Sequence, residues 1–86
     1  MTIDQLIKSG KLAVGTELIW TRRGLKITHK AKVLVWGKIQ TADGQIHKTP
    51  SGAAKHLNGN KPVDGWLAWK TLEGGKSLAE IRLSIA

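Results

Sequence analysis

The feature that most constrains the fold is an alternation of side chains through residues 26–35. Mostly apolar residues occupy the odd positions, and lysine or threonine occupies the even ones as far as residue 32. The two sides carry Ile27, His29, Ala31, Val33 and Val35, and Lys26, Thr28, Lys30 and Lys32, respectively. Because successive side chains of a β-strand point to opposite faces, the pattern predicts a strand with one apolar and one basic side. The basic side must face solvent or a partner, or protect an edge from pairing with other chains.

Turn signals on both sides of this strand predict a small antiparallel sheet. Upstream, Arg22, Arg23 and Gly24 fit a hairpin turn that carries two guanidinium groups. Downstream, Asp43 and Gly44 separate two short runs, and glycine accepts the positive φ of a tight turn. We expect about four to five strands.

Capping residues predict two to three short helices packed on that sheet, and therefore an α+β fold. Thr2 and Gln5 have capping-box spacing ahead of an apolar stripe. Thr49 is a candidate N-cap with Pro50 at the first helical position, although Ser51 could cap instead. The residues of this helix expected to face inward are Ala53, Ala54 and Leu57.

The carboxyl-terminal segment is compatible with two structures. Ser77 and Glu80 again have capping-box spacing, which favours a short helix. Alternation through Ile81, Leu83 and Ile85 would instead give a final strand. We expect the helix.

Charge is the strongest global indication of function. Fourteen lysine and arginine residues oppose six acidic ones, giving a net charge of +8 on a chain of 86 residues. This excess attracts polyanions and favours a nucleic-acid partner. The alternative is that the charge serves only to keep the protein soluble. The absence of cysteine excludes disulfides and thiolate metal sites. The length predicts a single domain over residues 1–86.

No pattern in the sequence indicates catalysis. His29, His47 and His56 lack metal-ligand spacing, and Ser51 lacks the glycines of a nucleophile elbow. We therefore expect a binding protein without metal or cofactor. The amino-terminal segment is too short and too charged for a signal peptide or a membrane span, so we expect a cytoplasmic protein with no membrane partner.

An ordered set of short motifs along the chain resembles the RAMA family, the restriction enzyme and adenine methylase associated domain. The motifs are Gly24, Ala31–Val33, Gly37–Ile39, Asp43–Gly44, Thr49–Ser51, Ala53–Ala54, Gly59, Asp64–Trp66 and Trp69. The resemblance implies an α+β module, often fused to a nuclease or methylase, that binds DNA and in some members recognises modified bases such as methylated adenine. His47 replaces an aromatic or apolar residue of the family pattern, and Asp64 replaces a frequent asparagine.

The helix that begins at Thr49 is the predicted phosphate site. Its first turn offers free backbone donors and the positive end of the helix dipole beside the hydroxyls of Thr49 and Ser51. An ordinary capped helix is the alternative. We expect the cationic residues to converge around it in one patch that contacts duplex DNA. The full predicted DNA-binding set is Arg22, Arg23, Lys26, Lys30, Lys32, Lys48, Thr49, Ser51, Lys55, His56 and Lys61.

Aromatic residues supply a candidate base pocket, formed by Trp36, His47, Trp66 and Trp69. A spacing of three in an extended segment places Trp66 and Trp69 on opposite faces. We expect Trp66 to lie mainly in the core, and Trp69 or Trp36 to border the pocket. The alternatives to DNA binding are an RNA- or ribosome-associated module and a protein-interaction module that partners an enzyme.

Overall fold

The computed structural model describes residues 2–22, 24 and 26–84. Within them, four short α-helices pack on a five-stranded antiparallel sheet, which confirms the α+β prediction. The elements are α1 (Ile3–Lys8), β1 (Glu17–Arg22), β2 (Ile27–Val33), a 3-10 turn (Val35–Gly37), β3 (Ile39–Thr41), β4 (Ile46–His47), α2 (Pro50–Leu57), α3 (Gly65–Ala68), β5 (Lys70–Thr71) and α4 (Leu78–Leu83). The sequence patterns had not predicted α3, which lies in a segment expected to be extended.

The sheet has the strand order β4-β3-β2-β1-β5 and uses one face to build the core. Leu18 of β1 lies opposite Ala31 of β2, and Ala31 lies opposite Thr41 of β3. All three side chains are buried. Helical residues complete this core from the same side, and they are Ile3, Leu6, Ala53, Leu78 and Ile81. The helices therefore form a single layer against one face of the sheet.

The predicted two-sided strand is confirmed within β2. Ala31 and Val33 are buried, whereas Lys30 and Lys32 are exposed on the opposite face of the sheet. The ends of the alternation differ from the prediction, and Ile27, expected on the apolar side, is 44% exposed at the start of β2. Lys26 lies in the turn before β2 with φ 53°, so it does not extend the lysine side of the strand. Val35 lies in the 3-10 turn and is exposed, because the chain leaves the sheet after Val33.

The helices begin at the predicted caps. Thr2 Oγ1 accepts from Gln5 N, and the Gln5 side chain accepts from Thr2 N at 2.7 Å. The Thr49 hydroxyl accepts from the backbone N–H of Gly52 at 2.9 Å. The Ser77 hydroxyl caps α4 in the same way, so the helix rather than the alternative final strand is confirmed over residues 78–83.

Trp69 occupies the centre of the core with no exposed surface. Its ring Nε1 donates to the Pro50 carbonyl at 3.1 Å, and its ring meets Trp20 edge to face with centroids 5.9 Å apart. Gly65 brings α3 directly against the start of α2, since a Cβ at this position would lie 2.2 Å from the Pro50 carbonyl carbon. The missing side chain of Gly65 therefore lets α3 pack on α2, and the buried indole of Trp69 connects α2 to the sheet.

Candidate nucleic-acid interface

A groove of about 340 Å³ lies where the 3-10 turn, α1, α2 and α3 meet. Trp36 and Trp66 both line it, and the buried side chains of Ile3 and Pro50 lie beneath it. Its polar lining comes from Thr2, Asp4, Lys48 and Thr49. The volume is near the lower end of the ~300–1,000 Å³ range of small-molecule sites. The groove thus combines aromatic surface with a few polar groups.

Trp36 is presented to solvent by a constrained backbone. Its side chain is 73% exposed, and its φ of 67° is left-handed, which is rare for a bulky residue. Gly37 follows with φ 76° and packs so tightly that a Cβ would lie 2.5 Å from the Asp4 nitrogen. This contact fixes the turn against α1. An exposed indole is consequently held in place by the backbone beneath it.

Trp66 is half-buried and packs against the core. The Arg82 guanidinium of α4 stacks on it, 4.6 Å from the ring centroid. Such cation–π contacts add about 0.5–1 kcal/mol at exposed sites. The Asp64 carboxylate caps α3 by accepting from Trp66 N at 3.0 Å. Asp64 thus fixes the backbone of Trp66, while Arg82 and the core hold its ring where it lines the groove.

The polar lining of the groove carries both signs of charge. Lys48 is exposed and immediately precedes the N-cap of α2. Asp4 forms an ion pair with Lys8 at 3.1 Å on α1. An ammonium and a carboxylate are therefore available at different parts of the lining.

The start of α2 does not supply the open phosphate site that the sequence predicted. The Thr49 hydroxyl is engaged as the N-cap, and Pro50 has no N–H to offer. The Ser51 hydroxyl accepts from Gly65 N at 3.1 Å, so Ser51 holds α3 rather than capping α2. Gly65 lies close enough that a Cβ there would be 2.4 Å from Ser51 N. The backbone of α3 covers this part of the helix mouth.

The predicted single patch of cations is also wrong for the described residues. Lys30 and Lys32 lie on the open face of the sheet, while Lys55 lies on α2 in the helical layer against the other face. The remaining lysines of the predicted set lie in loops and turns, at Lys26, Lys48 and Lys61. Convergence fails because the predicted residues belong to both layers of the fold.

Arg22 and Arg23 have separate outcomes. Arg22 donates to Asn58 Oδ1 at 2.7 Å, and its guanidinium lies 4.9 Å from the Trp20 centroid. Arg22 therefore ties β1 to the end of α2 instead of projecting from a hairpin tip. Arg23 lies outside the described residues.

The candidate base pocket keeps two of its four predicted members. Trp36 and Trp66 line the groove, with Trp36 exposed as expected and Trp66 only half-buried. Trp69 is wrong as a pocket residue because it fills the core. The spacing argument failed because residues 65–68 form a helix, so Trp66 and Trp69 do not alternate across an extended strand. His47 faces α2 rather than the groove.

His47 and His56 form a second polar cluster with the tip of the β3–β4 hairpin. Their rings lie 4.9 Å apart, and His56 Nε2 contacts Asp43 Oδ2 at 2.7 Å. The Thr41 hydroxyl donates to Asp43, and this bond, followed by those from His56 and Gln45, holds the pKa of the Asp43 carboxyl well below its usual range. Burial, and then the charge of His56, lowers the pKa of His47. The cluster joins the hairpin to α2.

His29 is the remaining histidine and lies against Trp20, with ring centroids 5.2 Å apart. Its Nε2 is buried and has no hydrogen-bond partner. Burial, with a smaller contribution from Arg22, lowers the pKa of His29. His29 therefore behaves as a neutral, partly buried member of the inner face of the sheet.

None of the helices among the described residues is long and apolar enough to cross a membrane. The same part of the chain contains no group of three or more histidine, aspartate or glutamate side chains arranged to hold a metal ion.

Several groove residues escaped the sequence analysis, namely Ile3, Asp4, Pro50 and Arg82 as the partner of Trp66. Their convergence depends on contacts between distant segments, which no local pattern reports. One local signal was available, since glycine after Trp36 favours a left-handed turn that would expose the indole.

The fold and groove define a small, basic α+β domain with an exposed aromatic site. The family model described as Restriction Enzyme Adenine Methylase Associated, RAMA, matches residues 1–86, and the chain belongs to this family. The resemblance seen in the sequence motifs is thereby confirmed over the whole chain. A search of the curated proteins found no match.

Proposed function

We propose that the chain is a non-catalytic DNA-binding domain that holds a nucleobase in the groove between Trp36 and Trp66. The observation that carries this proposal is Trp36, an exposed indole kept in a left-handed backbone conformation at the mouth of an aromatic groove. Strained backbone of this kind persists where the surrounding structure enforces it, and it concentrates at binding sites. The RAMA family's association with restriction enzymes and adenine methylases makes DNA the expected source of the base.

Stacking supplies the main attraction for the base. Base–aromatic stacking contributes about 1–3 kcal/mol per base and tolerates any sequence, because every base has a π-face. The Trp66 ring is held by the Arg82 guanidinium and by packing against the core, so little side-chain freedom is lost there on binding. Trp36 closes over the base from the 3-10 turn.

The walls of the groove suit an adenine that carries a methyl group on its exocyclic nitrogen. The exposed indole of Trp36 and the half-buried ring of Trp66 offer apolar surface for the methyl group, while Ile3 and Pro50 lie buried beneath them. The one remaining N–H of the methylated amine donates to the Asp4 carboxylate. Unmethylated adenine lacks the apolar contact, and the loss of one buried methyl corresponds to about 0.8 kcal/mol. The groove therefore favours the modified base modestly, by roughly fourfold.

A base in duplex DNA must leave the stack to enter this groove. Extrusion costs a few kcal/mol, which stacking and phosphate contacts must offset. Lys48 at the groove contacts the flanking phosphate as an ion pair, and the net charge of +8 raises the encounter rate with a polyanion. Phosphate contacts set the position of the strand, while the groove supplies selectivity.

The non-catalytic part of the proposal rests on the lining of the groove. Asp4 and Lys48 are the titratable residues among those lining it, and no histidine is among the lining residues. His47 and His56 occupy the separate hairpin cluster, and His29 lies against Trp20. A nuclease or methylase fused to or associated with the domain supplies the chemistry in this proposal.

RNA binding by an open sheet is the less favoured alternative. Modules that use such a sheet stack single-stranded bases on its aromatic residues. The chain has four tryptophans and no phenylalanine or tyrosine. The tryptophans occupy the core, the inner face of the sheet or the groove, and none lies on the open face of the sheet. Competition of duplex DNA with structured RNA for the domain distinguishes the two partners.

The test is a binding titration with two 12-base-pair duplexes that differ only in one N6-methyladenine. We expect binding at low salt, tighter for the methylated duplex, with quenching of tryptophan fluorescence. Trp36→Ala should weaken binding about tenfold or more, since it removes a stacking contact. Val14→Ala, which truncates another exposed apolar residue away from the groove, is the matched control. Unchanged affinity in Trp36→Ala, or no binding at low ionic strength, would disprove the proposal.

A further inference from the structure

The open face of the sheet, on the side away from the helices, carries a second surface. By strand alternation and register it presents Ile19 of β1, Lys30 and Lys32 of β2, and Lys70 of β5. A hollow of about 380 Å³ lies on this face, lined by Ile19, both β2 lysines, Leu72 and residues of β3. We propose that this surface, the lysine face, docks an acidic amphipathic helix of a protein partner.

The lysine face has the composition of a protein interface. Its floor is apolar, because Ile19 is half-buried and Leu72 is 51% exposed beside it. Lysines surround that floor, with Lys30 and Lys32 on one side and Lys70 on the other across Ile19. An apolar centre with a charged rim is the usual arrangement at protein–protein contacts.

Apolar surface favours a protein over nucleic acid at this surface. A sugar–phosphate strand carries a charge at every nucleotide and has little apolar surface to bury against Ile19 and Leu72, whereas an amphipathic helix has a continuous apolar stripe. Glu17 lies opposite Lys32 in the strand register and repels phosphate and carboxylate alike, so the acidic groups of the partner must lie nearer to Lys30 and Lys70 than to Glu17. No tryptophan lies there to stack on a base, since all four of the chain occupy other positions.

The spacing of the lysines specifies the partner's geometry. Lys30 and Lys32 are two residues apart on one strand, which separates their Cα atoms by about 7 Å. Carboxylates at positions i and i+4 of an α-helix are separated by about 6 Å along its axis and share one face. A helix with this acidic pair therefore matches the two ammonium groups. An apolar side chain on the adjoining stripe of the helix then packs on Ile19 and Leu72.

The experiment uses two synthetic 18-residue alanine-rich helical peptides with identical leucine positions. One carries glutamate at the polar positions beside the leucine stripe, and the other carries lysine. Each is titrated into the ¹⁵N-labelled full chain and followed by amide chemical shifts. We expect the acidic peptide alone to shift amides of β1, β2 and β5. Lys32→Glu and Lys30→Glu should each weaken its binding at least about tenfold, because they place like charges in contact.

Lys55→Glu is the matched control, since it reverses an exposed lysine on α2 in the helical layer and should leave peptide affinity unchanged. The inference is overturned if neither peptide shifts the sheet amides, if both peptides bind equally, or if Lys55→Glu has the same effect as Lys32→Glu. It is also overturned if duplex DNA shifts the lysine-face amides and competes with the acidic peptide. Failure of DNA binding at the groove leaves these outcomes unaffected, so the two proposals are tested separately.

Discussion

Replacement of Gly37 by alanine tests whether close packing under the 3-10 turn holds Trp36 in place. Gly37 has φ 76° and approaches Asp4 so closely that a Cβ would lie 2.5 Å from its nitrogen. Gly10 has nearly the same φ, 78°, but a Cβ there would meet no atom within 4 Å. Gly37→Ala and Gly10→Ala should therefore carry the same cost for a left-handed alanine, and only Gly37→Ala should add a clash with the backbone of Asp4.

The magnitudes follow from these two situations. A left-handed alanine costs about 1–2 kcal/mol, and the smaller conformational entropy of the unfolded chain offsets about 0.4–1 kcal/mol of that. Gly10→Ala should thus lower the free energy of unfolding by roughly 0.5–1.5 kcal/mol. Gly37→Ala adds an overpacking cost of about 1–3 kcal/mol, because the backbone of α1 must move. The expected total at Gly37 is roughly 2–4 kcal/mol.

The assay is equilibrium urea unfolding followed by far-ultraviolet circular dichroism, which does not depend on the environment of any one tryptophan. A domain of 86 residues is expected to have a total stability of about 4–13 kcal/mol, so Gly10→Ala should retain a folded baseline, and Gly37→Ala should retain one wherever the parent chain exceeds about 6 kcal/mol. With an m-value of about 1 kcal/mol/M, each kcal/mol shifts the midpoint by roughly 1 M. Equal destabilisation of the two variants, within about 0.5 kcal/mol, would refute the reasoning, because the contact with α1 would then contribute nothing.

Three further outcomes follow from the same structure. Trp69→Ala should lower the free energy of unfolding by about 3–5 kcal/mol, whereas the exposed Trp36→Ala should change it by less than about 0.5 kcal/mol, as urea titrations of both would show. The free energy of unfolding should be greatest above the ordinary histidine pKa of about 6.5 and should decrease as the pH falls from there through the lowered pKa values of His29 and His47. In that range the unfolded chain binds more protons than the folded one, so acid favours unfolding, and urea midpoints measured at several pH values check this. The logarithm of DNA affinity should fall linearly with the logarithm of salt concentration, and Lys48→Ala should reduce that slope by about one in titrations at several salt concentrations.

Local patterns predicted the parts of the fold that depend on neighbouring residues. The strand from Ile27 to Val33, two-sided from His29 onward, and the caps at Thr2, Thr49 and Ser77 were all available from the sequence, because each involves residues one to four positions apart. The order of short motifs also indicated the RAMA family correctly.

The positions of the tryptophans and lysines could not be predicted in this way. Trp69 is core because its Nε1 reaches the Pro50 carbonyl, 19 positions earlier in the chain. Trp36 and Trp66 line one groove only because α3 packs on α2 through Gly65. Lys32 and Lys55 were expected in one patch, but the layer in which each lies depends on how α2 packs on the sheet. All of these depend on contacts between distant segments.

The distribution of lysines over both layers has a consequence for how a polyanion approaches. Positive charge in both layers of so small a body attracts a polyanion to more than one face, so attraction at long range does not by itself select the groove. In the proposed complex, long-range forces determine how often the domain meets DNA, and short-range contact at the indoles determines which encounters are productive. Added salt should accordingly slow arrival much more than it alters the orientation finally adopted.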